Sequence, residues 1–199
     1  MVEISQTEGR LAFGADPAGY HEARPGYPKR VFDILRDRCG IRLRARIFEI
    51  GPGTGIATQK LLQLGACPLM LVEPDERLGS FLTDTLCRTS SSIKVNVATF
   101  EQAELQSAWF DAGTSASSFH WLNEMRSLRK IARILRPGGW WAMWWNLFFG
   151  APRSDEFYKA SRFLLRGLDH SPLLWPGRTP TIRSGYRNAH SESKGSGHI

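Results

Sequence analysis

Three glycines stand at alternate positions, Gly51, Gly53 and Gly55, in the stretch "IFEIGPGTGIATQKL" (47–61). Glycine weakens regular elements, so it belongs where a side chain would obstruct a sharp turn or a close approach. The apolar run before them, "ARIFEI" (45–50), reads as a strand, and "GIATQKLLQLG" (55–65) reads as a helix. The same beat recurs along the chain. Strand "PLMLVE" (68–73) precedes helix "DERLGSFLTDTLCR" (75–88), and strand "SIKVNVAT" (92–99) precedes "FEQAELQSA" (100–108), a short helix or loop. "WFDAGTSASS" (109–118) reads as a fourth strand and its exit, followed by helix "LNEMRSLRKIARIL" (122–135). A turn at "RPGG" (136–139) then leads into strand "WWAMWWN" (140–146). Strands alternating with helices imply a parallel sheet covered on both faces, and right-handed crossovers make it doubly wound. The expected fold class is α/β, with a doubly wound, mostly parallel sheet.

The flanks are read by composition and punctuation. Residues 1–19 are weakly patterned, whereas "RPGYPKRVFDILRD" (24–37) is a turn feeding a helix that Gly40 ends. Residues 1–40 thus form an N-terminal cap and helix, and 41–150 the core. Residues 151–175 form a further helix with Ser154 as its cap, and 176–199 a flexible polar tail rich in Gly and Ser. The chain is 42% hydrophobic and 23% charged, which suits a globular domain. Its most apolar run, "GGWWAMWWNLFFG" (138–150), is too short to cross a membrane. No signal peptide is read at the N-terminus, and Cys39, Cys67 and Cys87 lack metal or disulfide spacing, so no metal is expected and the cytoplasm is the expected compartment. The net charge of +7 would suit nucleic acid, but the basic stretches do not interleave aromatics with cations, so a solvated surface is expected and nucleic acid is not.

Open parallel sheets bind ligands beyond the carboxyl ends of their strands. The glycine turn builds that crevice, and Glu73, ending the next strand about 20 residues on, can hold two ribose hydroxyls. A nucleoside cofactor is therefore expected. A dinucleotide fingerprint would require glycine or alanine where Ile56 stands, and no G-K-[ST] marks a P-loop.

The pattern of Glu49, Gly51, Gly53 and Gly55 resembles the first motif of class I S-adenosylmethionine-dependent methyltransferases. "LMLVEPD" resembles the second, "ATFEQAEL" (98–105) the adenine-edge segment and "FDAGTSASSFHWLN" (110–123) the fourth motif of a type 11-like subgroup. "YHEARPGYP" (20–28) resembles that subgroup's N-terminal segment. The resemblance covers roughly residues 13–150. It implies S-adenosyl-L-methionine as methyl donor, with Glu49, Gly51, Gly53, Gly55, Glu73, Thr99, Phe100 and Glu101 around it. It also implies Tyr20 and Arg24 over its methionine carboxylate. His120, after the fourth strand, is the candidate catalytic group, with packing beside Trp121 as the plainer reading. Asp111 and the tryptophans at 140, 141, 144 and 145 read as structural. The acceptor is expected to be a small molecule. The family sheet ends with two further antiparallel strands, for which the residues after Asn146 offer no pattern, so the chain reads as C-terminally truncated. A cofactor-binding but catalytically degenerate member is the alternative.

Overall fold

The computed structural model describes residues 12–88 and 92–146. All of these lie in the unit Met1–Phe148. The helix expected over 151–175, the tail over 176–199 and the question of further strands after Asn146 lie outside the described residues.

Five strands form one parallel sheet: β1 (Ile47–Ile50), β2 (Leu69–Val72), β3 (Ile93–Asn96), β4 (Phe110–Ala116) and β5 (Leu135–Trp144). Their order is β3-β2-β1-β4-β5, and every pairing is parallel. Chain order therefore reverses beside β1, which is where such sheets open a crevice. The described helices are α1 (Pro17–Ala23), α2 (Lys29–Asp37), α3 (Ile56–Gln63), α4 (Glu76–Leu82) and α5 (Glu124–Ile134). The expected architecture is the one observed.

Side chains alternate across each strand, and both faces are covered. Ile47 of β1 and Leu69 and Leu71 of β2 join Phe32 and Leu35 of α2, Leu61 of α3 and Leu82 of α4. On the other face Phe48 and Ile50 of β1 and Val72 of β2 join Phe100, Phe110, and Ile131 and Ile134 of α5. Phe48 lies across Gly113 of β4, where a Cβ would come within 2.0 Å of its ring. A central strand without a side chain there lets the aromatic ring cross the sheet.

Two details differ from the sequence reading. The RPGG residues are not a turn ahead of a strand but a bulge inside β5. Phe110 pairs with Leu135 and Ala112 already pairs with Trp140, so the intervening residues loop out. Residues 100–108 take the loop form of the two expected for them. Residues 12–23 are ordered as a 3-10 turn (Ala12–Gly14) and α1, which Asp16 caps by accepting from the Gly19 N–H at 3.0 Å. Of the β5 tryptophans, Trp141 and Trp144 pack against the two cores, whereas Trp140 is 49% exposed.

Candidate functional site

Beyond the carboxyl ends of β1, β2 and β4 lies a cavity of about 1000 Å³, counted out to open solvent. The glycine turn forms its floor. Gly51 and Gly53 both have φ near +60°, a region that side chains resist. They need it for different reasons. A Cβ on Gly51 would meet Cβ and Oγ of Ser118 at 2.6 and 2.7 Å. Ser118 is the clasp that joins the β4 exit to the turn: its hydroxyl donates to the Ile50 carbonyl at 2.7 Å. A Cβ on Gly53 would meet nothing within 4 Å, so the space above it is open.

Glu73, 4% exposed, follows β2. Its Oε2 accepts from the Gly53 N–H at 3.0 Å and its Oε1 from the Asp75 N–H at 3.1 Å. The acid is thus fixed against the glycine turn by two backbone donors. Beyond it, after β3, Thr99 and Phe100 continue the cavity wall. Strand order therefore lines up glycine turn, acid and loop along one side.

The other side is aromatic. Phe13, Tyr20, Arg24 and Tyr27 from the N-terminal segment and His120 and Trp121 from the β4 exit line the cavity there. Phe13 packs against Tyr20 with centroids 5.3 Å apart and the rings tilted by 57°, and Tyr27 donates its hydroxyl to Ser117 at 3.1 Å. Arg24 lies 5.8 Å from the Tyr20 ring centre. Burial raises the Tyr20 phenol. Burial, aided by Arg24, lowers the His120 imidazole below its ordinary value. The Trp145 indole N–H donates to His120 Nδ1 at 3.1 Å. An indole only donates, so Nδ1 accepts, and the neutral ring carries its proton on Nε2.

Of the residues singled out from sequence, Gly51, Gly53, Glu73, Thr99, Phe100, Tyr20, Arg24 and His120 all line this cavity. Glu49, Gly55 and Glu101 are not among its lining residues. Gly55 starts α3, where a Cβ would press on Leu86 and Leu82 at 2.9 and 3.0 Å. Glu49 sits on the α3 face of β1, fully buried, with Oε2 accepting from the Thr58 hydroxyl at 2.7 Å. Its Oε1 has no partner among the described residues. Burial pushes its carboxyl from an ordinary 4.5 up to about 7, the Thr58 hydrogen bond opposing and Glu73 adding to the rise. Phe13, Thr54 and Ser118 are lining residues that sequence reasoning missed. For Phe13 a signal existed in the Asp16-Pro17 helix start that follows it.

A glycine turn, a buried acid on the neighbouring strand and a crevice at the switch in strand order define an α/β protein with its cavity where such sheets hold ligands. Residues 48–143 match the family model described as a methyltransferase domain. A methyltransferase of Mycobacterium tuberculosis, itself uncharacterised, is 30% identical over 145 residues, covering 73% of this chain and 56% of the relative. Another from Schizosaccharomyces pombe is 27% identical over 135 residues, covering 68% and 52%. A solved S-adenosylmethionine-dependent methyltransferase from Aquifex aeolicus superposes with a TM-score of 0.54 at 15% identity, covering 76% of this chain and 86% of that one. Over residues 48–143 the chain is similar to the methyltransferase-domain family, and its sheet has the fold of solved S-adenosylmethionine-dependent methyltransferases. The chain spans about half the length of the curated relatives it matches.

Proposed function

We propose that the chain binds S-adenosylmethionine in this cavity and transfers its methyl group to a small-molecule acceptor seated at the His120 end. The observation that carries the reading is Glu73, held by two backbone N–H groups at the end of β2 beside the open space over Gly53. The residues fit the cofactor. The open face of Gly53 admits it, and the buried Thr54 hydroxyl lacks a partner among the described residues.

When bound, the cofactor supplies a methyl group on a sulfonium, a leaving group that needs no activation. The chain's own residues bind and align. Glu73 accepts from the ribose hydroxyls, Thr99 and Phe100 flank the base, and Arg24 with Tyr20 closes over the carboxylate through charge-assisted donors. Phe13, Tyr27 and Trp121 exclude water from the transfer line. His120 meets the acceptor. With Trp145 occupying Nδ1, the imidazole offers an Nε2–H, so its part is to orient a lone-pair atom of the acceptor rather than to remove a proton.

Calorimetry with S-adenosylhomocysteine, followed by a turnover assay over a panel of small acceptors, tests this. The parent chain binds and turns over; Glu73→Ala, still folded by circular dichroism, loses binding. Failure of the parent to bind overturns the reading. Binding with no turnover on any acceptor leaves a cofactor-binding, catalytically degenerate member instead.

A further inference from the structure

The cavity wall after β3 belongs to a segment with no regular structure, residues 97–109. Loop carbonyls have no ladder to accept into, and they need partners. Three of them, those of Phe100, Glu101 and Ala103, converge on one group: the ammonium of Lys130 on α5 donates to all three, with the Glu101 contact at 3.1 Å. An ammonium has three N–H donors and no acceptor, so the match is complete in number. The same Nζ lies 5.0 Å from the centre of the Phe100 ring. At that range a cation is drawn to a ring face. The ring is fixed in turn, 1% exposed and stacked on Phe48 at 6.1 Å.

Lys130 does not line the cavity. We propose that it is a positioning residue for the cofactor, clamping the 100–103 loop so that Thr99 and Phe100 hold the base-binding wall. This rests on the reading of the cavity as a cofactor site. The surroundings favour a clamp over a solvated lysine. Burial and Arg133 lower the ammonium below its ordinary value, and the nearby Glu101 and Glu104 counter that. The charge is retained where it costs free energy, and the carbonyls offset that cost. Packing alone would be served by a methionine, and a surface charge by any exposed lysine on α5.

The test uses the full chain, with Lys130→Met to remove the charge while keeping the length and Lys130→Arg to keep the charge. In the cofactor-free protein, Lys130→Met is expected to raise amide exchange in 97–105 and to leave the five strands protected. Calorimetry is expected to show affinity for S-adenosylhomocysteine falling roughly tenfold in Lys130→Met, with Lys130→Arg close to the parent. Unchanged exchange in 97–105, or protection lost equally across all strands, overturns the clamp; so does parental affinity in Lys130→Met. Should Lys130→Met not fold, Lys130→Gln carries the same comparison. A parent chain that takes up no S-adenosylhomocysteine refutes the cofactor reading by itself, and amide exchange then still decides whether Lys130 holds the loop.

Discussion

Gly51 and Gly53 share a backbone conformation and differ in what surrounds them, so one substitution separates stability from binding. Gly53→Ala pays about 1 kcal/mol for a left-handed alanine and keeps the fold, because nothing lies within 4 Å of the new methyl. It intrudes on the ligand space, and calorimetry is expected to show S-adenosylhomocysteine binding lost. Gly51→Ala adds a collision with Ser118 to the same strain, so its urea midpoint is expected to fall well below that of Gly53→Ala. Glu49 makes a second residue-scale prediction. The folded state holds an extra proton between pH 4.5 and about 7, so stability falls as pH rises through that window and levels off above it. The span corresponds to about 3 kcal/mol. Glu49→Gln is expected to abolish that slope in thermal melts taken across pH. His120, lowered by burial, gives a slope of the opposite sign, so the difference between parent and variant isolates Glu49. At this scale the sequence was legible where backbone freedom or chain position forced an identity, as at Gly53 and Glu73. Glu49 entered the expected site through the motif resemblance, whereas in the structure it is buried against Thr58 and is not among the cavity-lining residues. Lys130 was illegible because its partners are carbonyls, which every residue carries.

Among the elements, β1 and β4 depend on one close fit. Phe48 crosses the sheet over Gly113, and the ring continues into Phe110 at 5.1 Å and Trp141 at 6.0 Å. Gly113→Ala forces a methyl into that ring and is expected to cost about 3 kcal/mol, read from the urea midpoint, with little recovery from repacking. The alternation of short apolar runs with amphipathic helices made the elements legible, since strands covered on both faces are apolar throughout while helices repeat every 3.6 residues. The β5 bulge was not. Proline and glycine signal a turn, and only the pairing partner shows whether the strand resumes on the same line. Helix α1 was missed for a related reason: its start is specified by Asp16 and Pro17, while its seven residues bury no side chain fully and show no apolar stripe.

At the scale of the whole described body, the two ends of the parallel sheet do different work. The carboxyl ends carry the cavity. At the amino end, Asp111 of β4 accepts from the Arg46 backbone N–H at 2.8 Å, from the Arg46 guanidinium, and from Arg136 at 2.6 Å, joining the approach to β1 with β4 and β5. These cations hold its carboxyl well below the usual range, so its stabilisation is present at neutral pH and lost on acidification. Asp111→Asn is expected to lower the melting midpoint by about 3 °C and to leave the affinity for S-adenosylhomocysteine unchanged. The clasp on the Ile50 carbonyl, by contrast, lies at the carboxyl end, where the hydroxyls of Ser118 and Ser115 both donate to that one backbone oxygen, at 2.7 and 3.3 Å. No side chain of β1 enters that joint. On the proposed reading, the aromatic half of the chamber can therefore be exchanged for another lining without disturbing the glycine turn and Glu73 on the opposite side.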